Sequence, residues 1–151
     1  MNLSMITVKE LMSDELYTLR PTNTVHEARE LMLQKRVRHI PITSEQGKFV
    51  GLITKHDILA LSVSKLADIS EKERDEIESS IILGEVMIRD VVVANEETNL
   101  LEAAQFILEQ KHGCLPIFRG TQLMGILTEA DFVKLAIHLM EKTAEYQTTT
   151  A

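Results

Sequence analysis

The chain has 151 residues, 44% of them apolar and 26% charged, with a formal net charge of −7 at pH 7: enough to build a core of its own, and of the wrong sign to seek a nucleic-acid backbone. Its one cysteine, Cys114, gives neither a disulfide framework nor a Cys-based zinc site, so a reducing compartment is expected, with the cytoplasm as the location. The opening "MNLSMITVKELM" lacks a basic stretch leading into a long apolar run, and no segment reaches the roughly 18 uncharged residues that span a bilayer, so no membrane association is expected.

In chain order, Leu16 to Leu19 reads as a short extended segment that stops at Pro21, since a proline biases the residue before it away from helix. Thr24 then opens a helix. "TVHE" is a capping box, and Val25, Ala28, Leu31 and Met32 recur at helical spacing. Two short apolar runs follow, Arg38 to Ile42 and Lys48 to Ile53, joined by the polar "TSEQG", and these read as strands. Thr54 opens a second helix, "KHDILALSV". From Leu61 to Ile82 a helical connector is expected, its "SEKE" another capping box and its Ile69, Ile77, Ile81 and Ile82 turned inward or toward a partner. "NLLE" starts the next helix, through "AAQFILEQK", and Thr128 opens the last, "EADFVKLAIHLMEK". The closing "YQTTTA" has no apolar pattern and reads as a frayed tail.

These elements occur twice. Laid on itself so that Met12 falls on Met87, the chain places Glu27-Ala28 on Glu102-Ala103 and "HIPI" (His39–Ile42) on "CLPI" (Cys114–Ile117). One residue is lost in the following turn, after which Gly51, Thr54 and Asp57 fall on Gly125, Thr128 and Asp131. Each copy is therefore strand, helix, strand, strand, helix. A unit of that size buries only about 60% of its unfolded surface, so the two copies are expected to pack as one domain about a pseudo-twofold axis. The expected divisions are 1–60 for the first repeat, 61–82 for the connector, 83–143 for the second repeat and 144–151 for a flexible tail.

The repeated Gly-x-x-Thr-x-x-Asp has a chemistry of its own. A strand turning into a helix presents unpaired backbone N–H groups at the positive end of the helix dipole, which suits a phosphate near Thr54. An aspartate one turn in can accept hydrogen bonds from ribose hydroxyls, which suits a sugar at Asp57. The same spacing also serves as an ordinary helix cap, in which the Thr side chain accepts from a backbone amide. The two copies are not equal. Lys35, Arg36, Arg38, His39, Lys55 and His56 make the first strongly basic, whereas Glu129 stands where Lys55 stands and disfavours a phosphate. No histidine pair has metal-ligand spacing and no nucleophile–base motif is recognisable, so no metal and no catalytic residues are expected. Met12, Met32, Met87 and Met140 are expected on apolar helix faces in the core.

The "LMS", "TLRPTNTVHEARELM", "RHIPI" and "GLITKHDIL" of the first half resemble the pattern of cystathionine-beta-synthase (CBS) domains, as do "VMIRDV", "NLLEAAQFILEQKHGCLPI" and "GILTEADFV" of the second. The chain thus resembles a tandem CBS pair, or Bateman module, and is similar to stand-alone CBS proteins of acetoin utilization. The resemblance implies an α/β (α+β) fold of two β-α-β-β-α repeats. It also implies a non-catalytic regulatory module that takes AMP, ADP, ATP or S-adenosylmethionine in the cleft between the repeats and signals by a conformational shift. No permanent cofactor is implied; the adenosine compound is a regulatory ligand. Carried over by position, the implied ligand-binding residues are Thr18, Arg20, His39, Ile40, Pro41, Thr54 and Asp57 in the first repeat. In the second they are Val93, Ala94, Cys114, Leu115, Pro116, Thr128 and Asp131. A homodimer and a regulated enzyme or transporter are the implied partners. The alternative is a constitutive dimeric scaffold in which both Thr-x-x-Asp motifs only cap helices.

Overall fold

The computed structural model describes residues 6–65 and 69–150, apart from the side chains of 62–65 and 145–150. In chain order the elements are α1 (Val8–Leu11), α2 (Val25–Lys35), β1 (His39–Thr43), β2 (Phe49–Thr54), α3 (Lys55–Lys65), α4 (Glu71–Glu78), α5 (Leu83–Val86), β3 (Ala94–Asn95), α6 (Leu100–Glu109), β4 (Cys114–Arg119), β5 (Gln122–Thr128) and α7 (Glu129–Thr150). They gather into two compact units, one from Tyr17 to Val91 and the other joining the chain up to Leu16 to the chain from Val92 onward.

In the unit from Tyr17 to Val91, α2 starts where the capping box predicts. The Thr24 side chain accepts from the Glu27 amide, and the Glu27 carboxylate accepts from the Thr24 amide. The helix stops at Arg36, which adopts φ 55°, a left-handed conformation that closes the last turn. Val25, Ala28 and Met32 face a core completed by Ile40, Ile42, Ile53, Ile58, Leu83 and Met87. Fully burying side chains of this kind stabilises by roughly 1.5–3 kcal/mol each. Strands β1 and β2 pair antiparallel, with His39 opposite Thr54 and Pro41 opposite Leu52. Leu19 bridges Ile42 on one edge and Ile88 bridges Leu52 on the other. Pro41, which has no N–H to give, meets that first edge with its carbonyl, accepting from the Leu19 amide at 3.2 Å.

The other unit repeats the plan. Asn99 caps α6, β4 and β5 pair antiparallel with Cys114 opposite Thr128, and β3 lies parallel to β4 with Ala94 opposite Ile117. Val8, Ala103, Ile107, Leu115, Ile117 and Leu127 form its core.

The repeated glycines gain their reason here. A Cβ on Gly51 would sit 2.6 Å from Met87 Sδ and 2.9 Å from the Ile88 carbonyl oxygen; one on Gly125 would sit 2.6 Å from Met12 Sδ and 2.7 Å from the Ser13 carbonyl oxygen. Each glycine admits a neighbouring backbone that a side chain would push away. The partners are crossed relative to the sequence repeat. Met12, which opens the first copy, packs on the second copy's sheet, and Met87, which opens the second, packs on the first copy's.

Each compact unit takes a segment from both copies, because the residues that follow the short leading helices α1 and α5 bridge to the other copy's sheet. Three expectations about particular elements change. The connector is not one helix: α3 runs to Lys65, α4 is separate, and Ile81 packs in the core while Ile77 and Ile82 are exposed. Met12 and Met87 end short helices in extended conformation, and Met140 is 65% exposed, so the methionines are not uniformly core residues on helix faces. The backbone of α7 continues to Thr150 through the expected tail, since a helix already formed gains one hydrogen bond for each residue it adds. Ala151 lies outside the described residues.

Candidate functional site

Thr54 ends β2 and Asp57 lies in the first turn of α3, so the strand-to-helix turn brings them together. The Thr54 hydroxyl donates to Asp57 Oδ2 at 2.6 Å, the Thr54 amide donates to the same oxygen at 3.1 Å, and the Asp57 amide donates to Thr54 Oγ1 at 3.1 Å. Thr54 is only 4% exposed, which fixes it to this duty. The bonds use one carboxylate oxygen of Asp57. Its Oδ1 has no hydrogen-bond partner among the described residues, and a hydroxyl-bearing ligand can donate to it.

In the other unit the Thr128 amide donates to Asp131 Oδ2 at 2.8 Å and the Thr128 hydroxyl approaches the same oxygen at 3.3 Å. The turn is the same and its cap looser. In both units the first amide of the helix is tied back to the preceding strand's entry: Lys55 to the Arg38 carbonyl at 2.8 Å, Glu129 to the Gly113 carbonyl at 3.1 Å.

Of the other expected residues, His39 lies directly opposite Thr54, and Cys114 directly opposite Thr128. Ile40 and Leu115 are wholly buried in the two cores, and Pro41, Cys114 and Pro116 are buried beside them. Thr18 and Arg20 are exposed on either side of the Leu19 bridge; Val93 is exposed and Ala94 half-buried on the equivalent edge. The structure thus brings together His39, Thr54 and Asp57, and separately Cys114, Thr128 and Asp131. No hydrogen bond among the described residues joins Thr18 or Arg20 to Thr54 or Asp57.

Between α2, the segment that follows it and the start of α3 opens a cavity of about 280 Å³, with Met32 and Ile58 among its walls and Arg29, Arg36, Arg38 and Lys55 around it. None of the fourteen residues expected at the site lines it. Arg36, Arg38 and Lys55 have no acidic partner among the described residues, whereas Arg29 is engaged bidentately by Glu78. Three uncompensated cations around one hollow favour an anion there, in a chain that is acidic as a whole. Arg36, Arg38 and Lys55 belong to the basic excess of the first copy; Arg29 lies outside that run and is marked in the sequence only by its place seven residues before Arg36 on α2. Lys35 is spent elsewhere, over the Tyr17 ring at 5.4 Å.

The CBS domain model matches residues 8–64 and 83–138. The chain belongs to the CBS-domain family. It is 31% identical over 88% of its length to the chloroplastic CBS domain-containing protein CBSX1 of Arabidopsis thaliana, of which it spans 65%, so it covers less than two-thirds of that relative. It is similar in structure to a protein of Vibrio cholerae provisionally described as the acetoin utilization protein AcuB, with TM-score 0.73, 33% identity, and coverage of 93% of this chain and 96% of that one. It is also similar to Arabidopsis CBSX2, crystallised in complex with AMP, with TM-score 0.71, 28% identity, and coverage of 89% and 98%. The two CBS matches begin at the leading helices α1 and α5, the segments that pack crosswise, so each CBS match reaches into both compact units. No helix of this CBS pair is long and apolar enough to cross a membrane among the described residues, and no three His, Cys, Asp or Glu side chains there gather as a metal site.

Proposed function

We propose that this CBS pair is a non-catalytic regulatory module whose ligand is an adenosine compound: AMP, ADP, ATP or S-adenosylmethionine. The observation that carries the reading is the AMP complex of CBSX2, whose whole CBS pair this chain matches in fold and at 28% identity. Asp57 takes the ribose hydroxyls through Oδ1, with Thr54 holding the carboxylate in place. Thr18, Arg20 and His39 border the base in front of the buried Ile40 and Pro41, and Arg36, Arg38 and Lys55 receive the phosphate. Asp131 and Thr128, with Val93, Ala94, Cys114, Leu115 and Pro116, form the weaker site, where Glu129 opposes a phosphate. The ligand favours one arrangement of the module over another by its differential affinity, and a regulated enzyme or transporter reads the change. The reading includes a homodimer, supported by the exposed stripe Val133, Ile137 and Met140 along α7.

One observation favours a second reading. Both motif aspartates already bond the backbone of the residue that opens their helix, as caps do, and a constitutive scaffold needs nothing more of them. Isothermal titration of the purified, nucleotide-free chain with the four ligands separates the two. Saturable heat from at least one is expected of the sensor; silence from all four, with the protein shown to be folded, leaves the scaffold.

A further inference from the structure

Helix α4 is an unusual element to find docked. Its sequence, EKERDEIE, holds one apolar residue, Ile77, which is 38% exposed, and Glu78 is its only buried residue. Such a helix has little apolar surface with which to pack on a neighbour. The polar contacts of α4 reach α2: Glu78 takes Arg29 Nε at 2.7 Å and Nη2 at 3.0 Å, and Asp75 lies 3.7 Å from His26 Nδ1. The contact is also under-satisfied. His26 Nδ1 and Arg74 Nε are buried without a hydrogen-bond partner among the described residues, a loss that exposure to water would relieve.

Arg29 faces two ways. The guanidinium that holds Glu78 belongs to a side chain that also lines the basic cavity with Arg36, Arg38 and Lys55. We infer that an anion entering this cavity competes with Glu78 for Arg29 and thereby releases α4 from α2. The inference rests on the reading above in taking that anion to be the phosphate end of an adenosine ligand. A phosphate gathers Arg29 together with three cations that have no acidic partner among the described residues, whereas Arg29 is the one cation bonded to Glu78 there, and the two anions repel across the group they share. The release need not disturb the core. Immediately after α4 the chain is pinned again, where the Val25 amide donates to the Ile81 carbonyl at 2.9 Å and Thr24 bridges Ile82. Ser79 and Ser80 are bonded to the Asp75 and Ile77 carbonyls and move with α4, so the hinge falls at the long 3.4 Å bond from the Ile81 amide to the Glu78 carbonyl. Occupancy of the cavity is thus converted into exposure of a charged helix, a change that a partner protein can read.

The test is hydrogen–deuterium exchange of the full chain, alone and with saturating AMP or inorganic pyrophosphate, beside titrations of the wild type and Glu78→Gln. With either anion bound, the amides of Arg74 and Ser79, which donate to the Ser70 and Asp75 carbonyls, are expected to exchange faster while α2 keeps its protection. In Glu78→Gln they exchange fast without ligand, and the anion binds about threefold or more tighter, because the competent state no longer has to be won from a carboxylate. Unchanged or slower exchange in α4 at saturation overturns the inference, as does equal affinity in Glu78→Gln. If that variant does not fold, exchange in the wild type decides. AMP binding that is lost in Asp57→Ala but indifferent to Arg38→Ala removes the latch and leaves the sensor; pyrophosphate releasing α4 where AMP does not bind keeps the latch and removes the sensor. No binding of either anion overturns the inference.

Discussion

The two units share a scaffold and differ at the mouth of their strand-to-helix turns. In one, Arg38 enters β1 and Lys55 opens α3, and both line a basic cavity. In the other, Gly113 and Glu129 occupy the matching places. Gly113 takes φ +67°, and a Cβ there would sit 2.9 Å from Glu129 Oε1, so the acidic side chain lies over the space that a larger residue would fill. The duplicated Thr-x-x-Asp therefore meets a cationic neighbourhood once and an anionic one once. The lesson is that a repeated motif supplies the turn and its cap, while the residues flanking it decide what ligand the turn can serve.

The largest expected effect separates the units by stability. Arg29→Ala removes the partner of the buried Glu78 carboxylate and should lower unfolding free energy by about 1.5–3 kcal/mol in urea titrations, the release of α4 into water limiting the loss. Ala104 stands at the equivalent place in the second repeat, so that unit has no such pair to lose. Next come the glycines, which test what the units share. Gly51→Ala and Gly125→Ala each drive a Cβ into a carbonyl oxygen and should each cost about 1–3 kcal/mol. A loss from one alone would show that the crossed packing is not equivalent. Third, Lys55→Glu gives the first unit the charge of the second. It should weaken AMP binding by about tenfold, or 1.4 kcal/mol, and leave adenosine binding nearly unchanged; equal losses for both ligands would place Lys55 away from the phosphate.

The smallest effect concerns an ion pair that only the second unit has. Arg119 Nε donates to Glu96 at 2.6 Å, and Pro21 and Ser44 stand at the matching places in the first repeat. That hydrogen bond, opposed by partial burial and aided by the charges of Arg119 and Lys9, holds the Glu96 carboxyl below its ordinary value. A carboxyl so depressed adds stability above its unfolded pKa, and the contribution is lost as pH falls through the folded one. In a carboxyl NMR titration Glu96 should protonate below the ordinary glutamate value, and Arg119→Ala should raise it toward that value.

Much of this was legible in the chain itself. The capping residues Thr24, Ser70 and Asn99 mark helix starts that the structure keeps, because a cap is a bond between residues three apart. The strands at "HIPI" and "CLPI" and the pairing of Thr54 with Asp57 were equally local. What could not be read was long-range. Nothing near Arg29 announces Glu78, 49 positions away, and nothing in Met12 or Met87 says that each packs on the other copy's sheet. The exposed Met140 and Ile77 show the opposite limit, since helical spacing reports a face and not what covers it.

The central proposal is that the first unit's motif holds the nucleotide more tightly than the second's. Its most direct test is the AMP affinity of Asp57→Ala against that of Asp131→Ala by isothermal titration, with circular dichroism showing both folded. Losing a charge-assisted hydrogen bond to the ribose should weaken binding by about tenfold or more in Asp57→Ala, with Asp131→Ala within about twofold of wild type. Equal losses in the two variants, or a loss confined to Asp131→Ala, would contradict the account.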